Sequence, residues 1–423
     1  MSKLKLSITT ALMLATIPLA GISSVSCGRA ESSDKDVVAM IPENDSGTDG
    51  DGRLTSANSA FGFKLYSELV QAASGKNIFI SPASISFALA MTYNGAEAGT
   101  REAMARTLGF GSLTLDQVNN DFARFISTLD KADPKVRLEI ANSLWAKRDV
   151  SFKADFIQRA QTFYGAQVTA VDFGAPSTVS AINSWVREKT NDKIDKIIDS
   201  IDPSNVLFLI NAIYFKGAWA NSFEKASTKD EPFKPASGGQ STVQMMHIGG
   251  SYSYLETTKF QAISLPYGKG RTTMCVFLPA PSSSLKDFQQ SLTVENWTEW
   301  LRRFQKTPGD LGLPRFKLEY EATLNDPLKT LGLGVAFDPG QADFSGMART
   351  TDRLFISSVK HKSFVEVNEE GTEAAASTSV GISATSARVP RERFNMIVDR
   401  PFFFAICDTQ TGMVLFMGGV NEL

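Results

Sequence analysis

The chain has 423 residues, a formal net charge of −2 and 43% hydrophobic residues, enough apolar material for a large core in one or two domains. The near-neutral balance, with no dense Lys/Arg cluster, gives no basis for binding nucleic acid or another polyanion. Two histidines, His247 and His361, and three cysteines leave little room for His-based catalysis or a metal centre.

Lys3 and Lys5 precede an apolar run from Leu6 to about Ile22, then Ser23-Ser24-Val25-Ser26-Cys27. A basic start, an apolar stretch too short for a spanning helix and broken by Pro18, and small residues at its end predict a signal peptide over 1–27. Cys27 directly after small residues resembles a lipobox, in which the cysteine is lipidated and becomes the new N-terminus. Ser24 stands where a lipobox has a large aliphatic, so ordinary secretory cleavage is the alternative. Either route predicts a secreted or extracytoplasmic protein, and the first adds a lipid anchor to the cell envelope. Residues 28–53 are rich in Ser, Asp and Gly and read as a disordered tether.

From Leu54 the pattern becomes dense and continues to Leu423, a folded domain over 54–423. Phe61, Leu65, Leu69 and Val70 share one face of a helix over 56–73. Ser81-Pro82 predicts an N-cap and first turn for a helix to about Asn94. Further helices are predicted over 100–108, 114–130 and 153–164. Strand character marks 138–147, 206–217, 263–267, 272–279, 314–320, 353–367, 396–407 and 414–420. Helices in the first half and strands in the second predict an α+β fold with large, mostly antiparallel sheets.

Glu369 to Ser386, EEGTEAAASTSVGISATS, stands out. Thr372, Ala374, Ala376, Thr378, Val380 and Ile382 are small or apolar, while Glu373, Ala375, Ser377, Ser379, Gly381 and Ser383 are polar or nearly featureless. That period of two describes a strand with one buried and one solvated face. Yet Gly371 opens the segment, and its Ala/Ser content is that of a linker. A stretch suited to both states predicts a loop that later becomes a strand.

No HExxH, P-loop, paired-cysteine spacing or nucleophile elbow occurs. Gly268-Lys269-Gly270 is a turn between strands, without the helix a phosphate loop needs. His361 sits within a strand pattern and His247 follows Met245-Met246, so structural roles are expected for both. Cys275 and Cys407 lie in apolar runs and are expected to be buried as small hydrophobes.

Several stretches resemble the serpin family of metastable protease inhibitors. These are NIFISPASISFALAMTYNGAEAGTREAMARTLGF (77–110), NVLFLINAIYFKGAW (205–219), VQMMH (243–247), SLPY (264–267), LPRFKLEY (313–320), VKHKSFVEVNEEGTEAAAST (359–378) and DRPFFFAICDTQTGMVLFMGGV (399–420). They follow the family order across 54–423.

The resemblance implies an exposed reactive-centre loop over about 369–394, offered as bait, and no enzymatic activity, cofactor or metal. A serine protease would cut the loop, become acylated, and be dragged along as the loop inserts into the central sheet. The implied hinge is Glu369, Gly371, Thr372, Ala374, Ala375 and Ala376; none of its inward positions carries the bulky or charged residue often found in non-inhibitory members. Ser81, Ser84, Asn211 and His361 match the family's shutter, and Trp219 the tryptophan of its breach. Counting from the hinge places the scissile bond at Thr385-Ser386, which suits elastase-like or subtilisin-like proteases. Counting back from Asp399-Arg400-Pro401-Phe402 ends nearer Arg391, so Arg388, Arg391 and Arg393 remain alternative baits for trypsin-like enzymes. The implied protein acts as a monomer, and without a basic helix it is not expected to respond to heparin.

Overall fold

The computed structural model describes residues 50–73, 75–111, 113–350, 353–372 and 392–423. Cys27 lies outside the described residues, as do Ala374, Ala375, Ala376, Thr385, Ser386, Arg388 and Arg391.

The helices are α1 (Gly50–Ala73), α2 (Pro82–Tyr93), α3 (Ala98–Leu108), α4 (Leu115–Ala132), α5 (Ala154–Tyr164), α6 (Pro176–Lys189), α7 (Leu285–Gln290), α8 (Val294–Arg303) and α9 (Asn325–Leu328). The first strands are β1 (Ile78–Ile80), β2 (Val136–Lys147), β3 (Ser151–Phe152), β4 (Gln167–Val171), β5 (Leu207–Ala218), β6 (Lys229–Phe233), β7 (Ser241–Glu256), β8 (Phe260–Pro266) and β9 (Thr272–Pro279). They are followed by β10 (Gln305–Pro314), β11 (Phe316–Thr323), β12 (Ala348–Arg349), β13 (Ile356–Asn368), β14 (Gly371–Thr372), β15 (Phe394–Ile397), β16 (Phe402–Asp408) and β17 (Val414–Val420). The α+β fold expected from the sequence is the one observed.

α1 starts at Gly50, within the span expected as tether, because Leu54, Thr55 and Asn58 are already buried against the core. α2 begins as its Ser-Pro entry predicts: the Ser81 side chain accepts the Ser84 N–H and Pro82 fills the first turn. Every residue of α2 is buried, so it lacks a polar face and runs through the core. The run expected as a single strand over 396–407 is split into β15 and β16. The break falls at Asp399-Arg400-Pro401, where proline cannot donate to a ladder.

One sheet runs β1-β17-β16-β9-β8-β7-β10-β15, with β6 on β7. Its central strands, such as PFFFAIC and TTMCVFLP, are buried along their whole length, as expected where both faces are covered. The second sheet runs β11-β13-β14-β5-β2-β4. One of its faces joins the main core with α1, α2 and the first sheet. Its other face carries Phe208, Ile210, Ala212, Tyr214 and Phe364 under Ile182, Trp185 and Val186 of α6. Along most of their length β5 and β13 pair directly and in parallel, from Ile356↔Leu207 to Phe364↔Tyr214. This seam is the feature on which the site depends.

Candidate functional site

At the upper end of the seam the two strands part, and residues 371–372 fill the gap. β14 pairs antiparallel with both neighbours, Thr372 facing Val367 on β13 and Gly217 on β5. The segment expected to be exposed from Glu369 therefore begins inside the sheet: Glu369 is 2% exposed and Thr372 is 0% exposed. Phe394, at the far end of the expected loop, likewise lies in β15. Gly371 has φ +148°, and a Cβ there would stand 2.1 Å from the Gly217 carbonyl oxygen. Only glycine fits a backbone that close in that conformation.

Charged and aromatic groups hold this entry. The Glu369 carboxylate accepts Arg315 Nε–H at 2.8 Å and the Thr228 hydroxyl at 2.5 Å. Burial raises its pKa, but the bonds from Arg315 and Thr228 outweigh that and keep it below the usual carboxylate value. Glu370 accepts Lys225 Nζ at 2.7 Å. Trp219 donates its indole N–H to the Asn368 carbonyl at 2.9 Å and its backbone N–H to the Glu370 carbonyl at 3.0 Å. Its ring stacks on Tyr267, with centroids 4.4 Å apart at 11°. The Tyr267 hydroxyl in turn meets the Thr372 hydroxyl at 2.6 Å. Thus Trp219 and Tyr267 form a plate against which the first inserted side chain rests.

Lower on the seam, the structure brings Ser81, Ser84, Asn211 and His361 together. Asn211 faces Asn142 on β2 and His361 on β13. Its amide donates to Asn142 Oδ1 at 2.6 Å and to the Ser84 carbonyl at 3.0 Å. His361 Nδ1–H donates to Asn211 Oδ1 at 2.6 Å, leaving Nε2 to accept the Ser81 N–H at 3.3 Å. That pair of partners fixes a neutral tautomer. Burial drives the His361 pKa down to about 3, since a charged ring here would lose its water and its acceptor role at once. Ser81 Oγ donates to the Leu415 carbonyl at 2.6 Å, and Ser363 Oγ to the Phe79 carbonyl at 2.5 Å. Chains of polar bonds therefore tie β5 and β13 to α2 and its entry at a line where the sheet must divide.

Sequence reasoning missed Asn142, Ser363, Tyr267, Arg315 and Thr228. Asn142 carried a signal, a lone amide within the apolar strand LEIANSLWAK. Arg315 and Thr228 carried none, because their partner Glu369 is remote in sequence. Among the alternative baits, Arg393 pairs with Asp310 of β10 at 2.9 Å. His247 is half-buried and bonds Glu231 at 2.8 Å, a strand-to-strand tie between β7 and β6. Cys275 and Cys407 are free thiols, both buried.

Comparison with known proteins agrees with this architecture. The family model described as Serpin (serine protease inhibitor) matches residues 56–423. Human leukocyte elastase inhibitor is 37% identical over 378 residues, covering 86% of this chain and 98% of the relative. Serpin B6 of Macaca fascicularis is 38% identical over 375 residues, covering 86% and 98%. The native crystal structure of the thermophilic serpin tengpin superposes with a TM-score of 0.80 at 35% identity, covering 87% of this chain and 94% of that one. The chain belongs to the serpin family, a family of serine protease inhibitors and not of enzymes.

Proposed function

We propose that the chain inhibits as a suicide substrate, trapping an elastase-like or subtilisin-like protease through a cut at Thr385-Ser386. The protease serine Oγ attacks the Thr385 carbonyl carbon and the peptide bond breaks. The amine of Ser386 leaves with a proton, and an ester joins Thr385 to the protease. The freed segment extends the strand begun at Gly371-Thr372 and carries the protease with it before water hydrolyses the ester. Strand addition coupled to release of stored strain supplies the driving force.

The observation that carries this reading is the register of β14. Thr372 faces Gly217 in an antiparallel pair. Extension without a slip sets Ala374 opposite Phe215, Ala376 opposite Ile213, Thr378 opposite Asn211, Val380 opposite Leu209 and Ile382 opposite Leu207. Opposed residues share a sheet face, and Phe215, Ile213, Leu209 and Leu207 belong to the main core. The alternate apolar set of the segment thus enters the core, and Val380 and Ile382 each contribute about 1.5–3 kcal/mol on full burial. The interleaved set turns toward α6, where its small side chains need little room.

The same register favours Thr385 as bait. Ile382 reaches Leu207, the lower end of β5, with Thr385 just beyond. A cut at Arg388 leaves about 20 Å of loose chain at ~3.3 Å per residue, which would let the tethered protease recover its geometry. A threonine suits a small primary pocket, in keeping with the relatives named leukocyte elastase inhibitor. The partner is the target protease, held covalently by a monomeric inhibitor without cofactor. We further propose that residues 1–27 direct secretion and that lipidated Cys27 anchors the chain outside the cytoplasm, on the strength of the basic, apolar and small-residue order of that segment.

The test is incubation with elastase-, subtilisin- and trypsin-type proteases, followed by denaturing gels and intact mass of the released peptide. A denaturant-resistant complex with a peptide starting at Ser386 is expected. Cleavage without a complex would overturn the trapping mechanism, and a peptide starting after Arg388 would overturn the bait. Radiolabelled fatty acid incorporated by the wild type but not by Cys27→Ser tests the anchor.

A further inference from the structure

Strand β15 holds the far end of the loop, and its attachment is unusual. Its ladder is a short parallel run on β10, from Gly309↔Phe394 to Gly312↔Ile397. Phe394 is 5% exposed and stacks on Tyr254, with centroids 4.4 Å apart and rings at 14°. Its other face lies on the bare backbone of Gly309, where a Cβ would come 2.2 Å from the Phe394 ring. Gln261 secures both layers: its amide donates to the Tyr254 hydroxyl at 2.8 Å and to the Asn395 carbonyl at 3.1 Å. The Tyr254 hydroxyl also donates to Glu256 at 2.8 Å.

Chain length gives this clasp a consequence. Full insertion in the β14 register takes the segment from the level of Gly217 to that of Leu207, about 33 Å at ~3.3 Å per residue. In an uncut chain, residues 383–393 must then return to Phe394. β15 lies at the hinge end of the molecule, since Gly312 pairs with Ile397 and the nearby Arg315 bonds Glu369. Stretched to its limit, the return segment spans about 36–40 Å, and it must go round the sheet instead of through it. The uncut loop therefore cannot insert fully while Phe394 stays in place. A chain cut at Thr385 has no such constraint, because its Ser386 end remains with β15.

Resting on the insertion reading above, we infer that Phe394, clasped between Tyr254 and Gly309, discriminates between the two insertions. It restrains spontaneous insertion of the intact loop and leaves insertion after cleavage unaffected. The clasp sets how long the inhibitor stays armed and not how well it traps.

The experiment follows full-length wild type, Phe394→Ala, Gly309→Ala and Tyr254→Phe during incubation without protease. Conversion to a heat-resistant form at unchanged intact mass is recorded, alongside the stoichiometry of complex formation by fresh protein with an elastase-type protease. Gly309→Ala dislodges the ring without altering it, and so decides the matter if Phe394→Ala fails to fold. Conversion about tenfold faster is expected for Phe394→Ala and Gly309→Ala, the rate equivalent of losing one buried aromatic pair. Tyr254→Phe, which keeps the ring, should convert like the wild type, and fresh stoichiometries should be equal. Wild-type conversion rates in both disrupted variants would overturn the clasp. So would a stoichiometry that shifts in step with conversion, since β15 would then limit both insertions. If the wild type forms no complex, the trapping reading fails, while the conversion rates still decide whether the clasp restrains the intact loop.

Discussion

Two buried ionisable groups at the seam respond to acid in the same direction for different reasons. Glu369 owes its depressed pKa to Arg315 and Thr228. A carboxylate with a folded pKa below its unfolded one adds stability above the unfolded value and loses it as pH falls through the folded value. The wild type should therefore lose melting temperature below about pH 4.5. Arg315→Met removes the cation and leaves the carboxylate buried, so its pKa rises and acid should stabilise that variant over the same window. Melting curves between pH 6 and 3 check the reversal; parallel curves would remove the ion pair from the account. His361, with a folded value of about 3 against 6.5 unfolded, contributes fully above pH 6.5 and progressively less down to about 3. His361→Gln should flatten the part of the melting profile between pH 6.5 and 5. An unchanged slope there would show that other groups set it.

At the scale of elements, the seated hinge decides what a substitution does. Thr372 is wholly buried against Tyr267, so Thr372→Arg asks the sheet to accept an unpaired guanidinium at the first step of insertion. Stable complexes with the target should fall to a small fraction of the wild-type yield, while cleavage at Thr385 continues at a similar rate. Undiminished complex yield on a denaturing gel would contradict insertion from Thr372. Much of this was legible in the sequence, because the period of two in Thr372–Ile382 and the Ser81-Pro82 entry are local patterns. Less legible was where the strand begins. β14 exists because Gly217 and Val367 flank it, and residues so distant in sequence leave no local mark. α6 went unassigned although Thr178, Ile182, Trp185 and Val186 have helical spacing; its Ser, Thr and Asn content masked the stripe. The shutter was reached through resemblance, and Asn142 was lost because an amide in a strand seldom declares its partner.

For the whole molecule, direct pairing of β5 with β13 leaves a central sheet one long strand short of what the chain can supply. Cleavage at Thr385 should raise the melting temperature well above that of the intact protein, as new ladder bonds form and Val380 and Ile382 are buried. Calorimetry before and after limited proteolysis checks this. A cut chain melting at the original temperature would mark a protein that binds without trapping. The overall architecture was readable because helix-rich and strand-rich halves, together with fully apolar runs such as PFFFAIC, constrain how layers stack. The two-faced burial of the second sheet was not, since it depends on α6 and the segment after it folding back over β5.

The two residues of β14 also bear on timing. A strand entering a sheet from solution must first find its alignment, and an error of one place would turn Glu373, Ser377 and Ser379 into the core. Here that search is complete before any protease arrives: the first rung is made, and it fixes every later one. What remains after the cut is propagation, like closing a zipper whose slider is already engaged. The contest with ester hydrolysis is then decided by how fast the Asn142–Asn211–His361 line yields, and not by how fast the strand finds its place.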